Sequence, residues 1–189
     1  DSRQQSCLEG NFIGPDLNFG LSYYIRVDGR EVPNNKFSFS LTSRSSIKVA
    51  DITINSNAFD SLYVPSTDQI YVSALGGSPT VDIINPANNT LTNQLSIAAG
   101  PQEMEYCPSL ERVFLANSST SSLIKINPTG SSGAAATEGS VSVGNSPLGI
   151  VYCPTNDKLY NTNHSSHSVS VVDPVNMEVV STINVGYSP

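Results

Sequence analysis

The feature that most constrains how this chain can fold is an internal repeat of two proline motifs. A Tyr-Val-Pro or Tyr-Cys-Pro motif is followed, after a short apolar segment, by an Asn-Pro or Asp-Pro motif, and this order occurs three times. A spacing of roughly 40–45 residues between copies is typical of folds that stack one small structural unit repeatedly. The first motif ends at Pro65, Pro108 and Pro154, and the second at Pro86, Pro128 and Pro174.

Each repeat contains four short segments with the composition of β-strands, and no segment has a helical period. Proline suits the turns between them because it cannot donate a hydrogen bond to a sheet. The fourth strands are predicted at 91–97, 140–143 and 178–185, and the second repeat carries an insertion at 129–139. The sequence therefore predicts an all-β fold of four-stranded antiparallel sheets, which are the blades of a β-propeller.

The N-terminal part of the chain repeats this pattern less clearly. Residues 37–58 align without gaps on 168–189, which predicts the third and fourth strands of a degenerate half blade at 37–41 and 47–54. Residues 21–27 and 30–32 flank Asp28-Gly29, a turn signal that predicts a hairpin. The predicted organisation is an arm and hairpin at 1–36, a half blade at 37–58, and blades 1 to 3 at 59–100, 101–146 and 147–189.

Three and a half blades are fewer than the roughly four to eight that close a propeller. Unclosed blades expose strand edges and apolar faces. The chain is therefore expected either to be incomplete or to be closed by other subunits, and the second case predicts a homo-oligomer or polymer formed through exposed blade edges.

The third repeat resembles the YVTN repeat of surface-layer-type β-propellers. The segments that carry the resemblance are Leu-Tyr-Asn-Thr-Asn at 159–163, Ser-Val-Ser-Val-Val-Asp at 168–173, and the Gly-containing end at 180–189. The resemblance covers residues 59–189, although the first repeat has Ala74 where the motif has Asn. It implies a β-propeller, and members of that family are typically extracellular or cell-surface proteins.

Composition excludes several classes of partner. Charged residues make up only 13% of the chain, and the net charge of −7 comes from 9 basic and 16 acidic residues. Because no basic stripe is present, neither nucleic acid nor an anionic membrane surface is an expected partner. No apolar run approaches the roughly 20 residues of a membrane span. The Ser-, Thr- and Asn-rich surface favours an extracellular location.

Two kinds of modification are predicted. Asn88, Asn117 and Asn163 each begin an Asn-x-Ser/Thr sequon and are candidate glycosylation sites. In the second and third repeats the sequon follows the aromatic strand, where the alternative role for Asn is to cap a tight turn. The chain also has three cysteines, an odd number that leaves open one disulfide, an intermolecular bridge or three thiols. A candidate disulfide would join Cys7 to Cys107 or Cys153.

Other residues with chemical potential are better explained as structural. His164 and His167 lie three residues apart but have no third metal ligand nearby, so a solvated loop is expected. Asp68 and Asp157 occupy the same turn in two repeats, which favours backbone hydrogen bonding over calcium binding. The predicted inward residues of the first strands are Glu103, Met104, Glu105, Ile150 and Val151.

Neither glutamate recurs in the third repeat, and catalysis normally needs converging acid, base or nucleophilic groups. The sequence therefore predicts a non-catalytic extracellular structural or interaction protein, without a cofactor, as part of a cell surface or filament. The alternatives are a binding module that recognises carbohydrate or protein, and a propeller enzyme resembling lactonases.

Overall fold

The structure is a computed structural model that describes residues 24–26, 40–42, 51–54, 57–98, 100–130 and 135–189. The chain divides into two compact units, residues 1–49 and 50–189. In the first unit, β1 (Tyr24–Arg26) pairs antiparallel with β2 (Ser40–Thr42). The expected return strand at 30–32 lies outside the described residues. Residues 51–54 form no strand, so the predicted strand at 47–54 is wrong over that part.

The second unit contains three four-stranded antiparallel sheets, each with its strands in sequence order, as the repeat predicts. No α-helix occurs among the described residues, and none of their segments forms a helix able to cross a membrane. Blade 1 consists of β3 (Ala58–Val64), β4 (Gln69–Ala74), β5 (Thr80–Asn85) and β6 (Thr90–Ser96); blade 2 of β7 (Pro101–Cys107), β8 (Arg112–Asn117), β9 (Ser122–Asn127) and β10 (Ala136–Ser142); and blade 3 of β11 (Pro147–Cys153), β12 (Lys158–Asn163), β13 (Ser168–Asp173) and β14 (Glu178–Asn184).

The outer strand of blade 2 begins earlier than the sequence predicts. β10 starts at Ala136, inside the predicted insertion, and its pairing with β9 shifts register between Thr137 and Gly139. The residue at this bulge, Glu138, accepts two hydrogen bonds from the guanidinium of Arg112 on β8, at 2.8 and 3.0 Å. This two-point ion pair holds the bulge of β10 against the start of β8, which a pattern of apolar residues could not indicate.

The hydrophobic core lies between the blades. Tyr71 and Val81 of blade 1 pack in one cluster with Val113 and Leu115 of blade 2, and all four side chains are fully buried. A second cluster joins blade 2 to blade 3 in the same way, through residues such as Phe114 and Leu159. Each fully buried side chain of this size contributes about 1.5–3 kcal/mol of transfer free energy, so inter-blade packing is a major source of stability.

The tight turns place one residue of each in the left-handed region. Asp68, Glu111 and Asp157 occupy equivalent turns between the first and second strands of the three blades, with φ of 52°, 54° and 52°. Aspartate tolerates this conformation because its short side chain bonds nearby groups. Asp68 and Asp157 therefore lie in the predicted turns, but their Oδ1 atoms accept the hydroxyls of Tyr63 and Tyr152 instead of the predicted backbone amides. Glu111 holds the same conformation with a residue type that disfavours it.

Candidate functional site

The inner strands of successive blades are joined by carboxylates that bind backbone amides. The Met104 N–H of β7 donates to Asp60 Oδ2 of β3 at 2.8 Å, and the Ile150 N–H of β11 donates to Glu103 Oε2 of β7 at 3.1 Å. Asp60 and Glu103 are five residues before the repeated proline in their own blades. The two contacts are therefore the same blade-to-blade contact, repeated, and we call it the carboxylate latch.

Bulges in the inner strands explain why amides are available for this latch. The pairing of β7 with β8 shifts register between Pro101 and Met104, and that of β11 with β12 shifts between Pro147 and Ile150. Regular pairing resumes at Met104 and at Ile150, and the N–H of each of these residues points towards the preceding blade instead of towards the neighbouring strand. A buried N–H without an acceptor costs about 1–3 kcal/mol, so the carboxylate satisfies a group that the bulge leaves unpaired.

Glu105 makes a second inter-blade contact, accepting the Tyr152 N–H at 3.0 Å. Burial raises the pKa of its carboxyl above the ordinary value, the Tyr152 N–H opposes that shift, and the negative charges of Glu103 and Asp60 add to it. Glu103 and Glu105 are the carboxylates among the inward residues that the sequence predicts. The structure shows that both are engaged by the backbone of the next blade.

The remaining inward candidates divide into two groups. Met104 and Ile150 are 3% and 6% exposed and belong to the two inter-blade clusters. Val151, in contrast, is 55% exposed, because the described residues place no blade against that side of blade 3. The predicted inward set is therefore not one site, since four of its five members bind or pack against neighbouring blades and Val151 faces open space.

Two of the three candidate glycosylation sites are buried. Asn117 and Asn163 end equivalent strands and are both 0% exposed, so the expectation that they form a repeated exposed site is wrong. The Asn117 Nδ2 donates to the carbonyl of Ala98, and its Oδ1 accepts the N–H of Thr120. The alternative interpretation from sequence, in which the Asn caps the turn after the second strand, describes Asn117. Asn163 makes no side-chain capping hydrogen bond, and its Nδ2 donates instead to the hydroxyls of Ser168 and Ser170.

The third candidate, Asn88, has a different environment. It is exposed in the turn between β5 and β6, and its Oδ1 accepts a hydrogen bond from the Thr90 hydroxyl at 2.7 Å. Asn88 and Thr90 are the first and third residues of the sequon. Of the three predicted positions, this is the one where a modifying group has room.

The two histidines lie in and after a short 3₁₀ turn, His164–Ser166. His167 has a φ of 51°, accepts the N–H of Ser188 on Nδ1 at 3.1 Å, and contacts the edge of the Tyr187 ring with centroids 4.5 Å apart. Across the described segments, no group of three or more His, Cys, Asp or Glu residues has metal-binding geometry. His167 thus fixes the end of the chain's last turn.

The described cysteines are both thiols. Cys107 is buried and its sulfur lies 3.4 Å from the Ser109 hydroxyl, while Cys153 is half-buried. The third, Cys7, lies outside the described residues, so a disulfide to the N-terminal segment stays a prediction. The Ser109 hydroxyl also lies 3.1 Å from that of Tyr152, which links the first turn of blade 2 to blade 3.

One sheet face that the sequence analysis did not single out is open. We define the open face of blade 3 by six residues whose equivalents in blade 1 pack against blade 2. Tyr71 and Val81 of blade 1 are fully buried. Their equivalents in blade 3, Tyr160 and Val169, are only partly buried. Aligning the repeats by strand register would have found it from the sequence. The open face consists of Val151, Cys153, Tyr160, Val169, Ile183 and Val185.

Comparison with known proteins places this fold among β-propellers. No protein-family model matches the chain, and a search of curated proteins found no match. Among solved structures, hydrazine synthase of Kuenenia stuttgartiensis aligns with a TM-score of 0.63 at 17% identity, over 76% of this chain and 40% of that one. A putative 6-phosphogluconolactonase of Bacteroides fragilis aligns with a TM-score of 0.61 at 12% identity, over 87% and 49%.

A chain of a nidogen/laminin complex aligns with a TM-score of 0.57 at 13% identity, over 70% of this chain and 49% of that chain. The present chain thus spans about half or less of the length of each of these proteins. Their functions differ widely, so at such identities the likeness concerns architecture alone. The sheet order, the inter-blade cores and these matches together show that residues 58–184 are blades of a β-propeller fold.

Proposed function

We propose that this chain is a non-catalytic extracellular interaction protein of the YVTN surface-layer type, and that the open face of blade 3 binds the same face of a second copy. The observation that carries the proposal is the exposure of apolar side chains on that face. Val151 is 55% exposed, Ile183 47% and Val185 38%. Contiguous apolar surface of this kind marks interaction sites in soluble proteins.

The open face has the same apolar composition as the interfaces that the chain already forms between its blades. The same positions of blades 1 and 2 are buried against the next blade, with Val64 and Tyr71 of blade 1 at 0% exposure. A face with this composition is therefore suited to packing against another sheet, and each fully buried Val or Ile contributes about 1.5–3 kcal/mol.

The inner edge of this face lacks the carboxylate latch. Gly149 stands where blades 1 and 2 have Asp60 and Glu103, so blade 3 offers no carboxylate to an amide beside it. The contact on this side must depend on apolar packing. An inner strand with a bulge is therefore a poor partner for this side of blade 3, because the N–H that the bulge leaves unpaired would find no carboxylate there.

A second copy is favoured because none of the six side chains that define the open face is charged. Two copies of a chain with a net charge of −7 repel each other unless they meet where charge is low. The charged groups beside the open face are Lys158 and Asp173, which form an ion pair at 3.3 Å, and Glu178, which pairs with Asp173 in the strand register. The same face of both copies therefore gives a two-fold dimer.

The experiment measures mass in solution by light scattering across a range of protein concentrations. We expect the chain of 20.1 kDa to associate into dimers, and Val151→Lys or Ile183→Lys to shift it to the monomer. The matched control is Val175→Lys, at a residue 62% exposed in the turn after β13 and outside the open face. A wild-type chain that stays monomeric, or a control that dissociates equally, overturns the proposal.

One observation favours the enzyme alternative. Three carboxylates, those of Asp60, Glu103 and Glu105, lie on neighbouring inner strands, and their mutual repulsion helps to raise the pKa of Glu105. We propose a structural role for them because two form the carboxylate latch and the third holds the Tyr152 N–H. Hydrolysis of a sugar lactone tests the alternative: activity in the wild type that is lost in Glu105→Gln would support catalysis.

A further inference from the structure

We propose that Asn88 carries an N-linked glycan in the folded protein, and that Asn117 and Asn163 do not. The inference rests on the extracellular location proposed above, since the sugar donor acts on proteins that leave the cytoplasm. It goes beyond the sequence, which gives all three sequons equal standing.

Asn88 has the exposure and hydrogen bonding of an acceptor. It lies in the turn that joins β5 to β6, beside Ala87 and Thr90, which are also exposed. The Thr90 hydroxyl donates to Asn88 Oδ1 at 2.7 Å, so the two sequon residues are already in contact. Within the described part of the chain, no hydrogen bond occupies the Asn88 Nδ2, which is the atom that reacts.

The chemistry joins Asn88 to the reducing end of an oligosaccharide. The Nδ2 attacks the anomeric carbon of a polyprenyl-diphosphate-linked sugar and loses one proton. The bond between that carbon and the diphosphate oxygen breaks, and the polyprenyl diphosphate leaves with the bonding electrons. No oxidant or reductant is needed, and the attached glycan extends into solvent from a turn.

The other two sequons cannot hold a glycan in this fold. The Asn163 Nδ2 donates to the hydroxyls of Ser168 and Ser170 at 3.1 and 2.9 Å, while its Oδ1 accepts from Asn161. The Asn117 Nδ2 donates to the carbonyl of Ala98 at 3.0 Å. Both side chains are 0% exposed, so a sugar on either one would displace packed neighbours and remove hydrogen bonds that the repeat depends on.

The experiment expresses the full chain with a secretion signal in a eukaryotic host that attaches N-glycans. The intact mass of the secreted, folded fraction is compared before and after enzymatic removal of N-glycans. We expect one glycan on the wild type and none on Asn88→Gln or Thr90→Ala. Thr90→Ser, which keeps the sequon hydroxyl, is expected to retain the modification.

Matched controls remove the other sequons without changing the buried asparagines. Ser119→Ala and Ser165→Ala alter exposed hydroxyls and are expected to leave the glycan mass unchanged. An unmodified wild type, or a glycan that persists in Asn88→Gln, overturns the inference. Because the host supplies the secretory route, failure here is separate from failure of the dimer proposal, which is read from the mass of the deglycosylated protein in solution.

Discussion

Removing the carboxylate of Asp60 tests whether the latch stabilises the stack of blades. Met104 is only 3% exposed, and its N–H donates to Asp60 Oδ2 at 2.8 Å. Asp60→Ala leaves this N–H without an acceptor. It does not disturb the hydrogen bond that the Asp60 backbone N–H donates to the Ser73 hydroxyl. The substitution therefore removes one inter-blade hydrogen bond, together with the negative charge that repels Glu105.

The expected loss follows from the energetics of such bonds. A hydrogen bond to a charged group contributes about 1.5–3 kcal/mol, and because Asp60 is half-buried we expect the lower part of that range, about 1.5–2 kcal/mol. Asp60→Asn keeps an oxygen acceptor and should lose about half as much, since neutral hydrogen bonds contribute about 0.5–1.5 kcal/mol. For a chain of this length, a loss of 2 kcal/mol corresponds to a fall in Tm of about 4–8 °C.

The assay is urea unfolding followed by circular dichroism and by tyrosine fluorescence, because the chain has eight Tyr and no Trp. The control is Glu178→Ala, which removes one negative charge from an exposed residue of β14 and should change stability by less than about 0.5 kcal/mol. If Asp60→Ala is no less stable than this control, the latch contributes nothing and the reasoning is wrong.

Three further predictions concern single side chains. Asn117→Ala should lower the free energy of unfolding by about 2 kcal/mol in the same urea assay, because two hydrogen bonds of a buried amide are lost; an unchanged midpoint would contradict the capping role. Glu111→Asn should raise it by about 0.5–1 kcal/mol by relieving a left-handed φ of 54°, and no gain would show that the turn carries little strain. Burial raises the pKa of Glu105, so the folded state binds the carboxyl proton more tightly than the unfolded state does. The carboxyl therefore favours folding in acid, and this contribution to stability is lost as the pH rises through the raised pKa. Glu105→Gln should therefore gain stability relative to wild type as the pH rises above the ordinary carboxyl pKa of 4.5 in parallel urea titrations, and a constant difference between the two proteins would refute the linkage.

Local residue patterns are sufficient to predict the three blades. Short apolar segments that alternate, separated by Pro and Asn turns at a constant spacing, are compatible with four-stranded sheets and with little else, because strand periodicity and turn chemistry are local properties. The three sheets between residues 58 and 184 follow from those local signals. The start of β10 at Ala136 did not, because a bulge held by the Arg112–Glu138 ion pair has no local signature.

The roles of the polar residues depend on how the blades stack on one another. Asp60 and Met104 are 44 positions apart, and their contact depends on how one blade stacks on the next, which no spacing along the chain reveals. The same stacking buries Asn117 and leaves Asn88 exposed, although both begin sequons. Burial is a property of packed sheets, whereas a sequon is a property of three consecutive residues. The local pattern therefore specifies the strands, whereas the blades on either side of a sheet determine the roles of the side chains on that sheet.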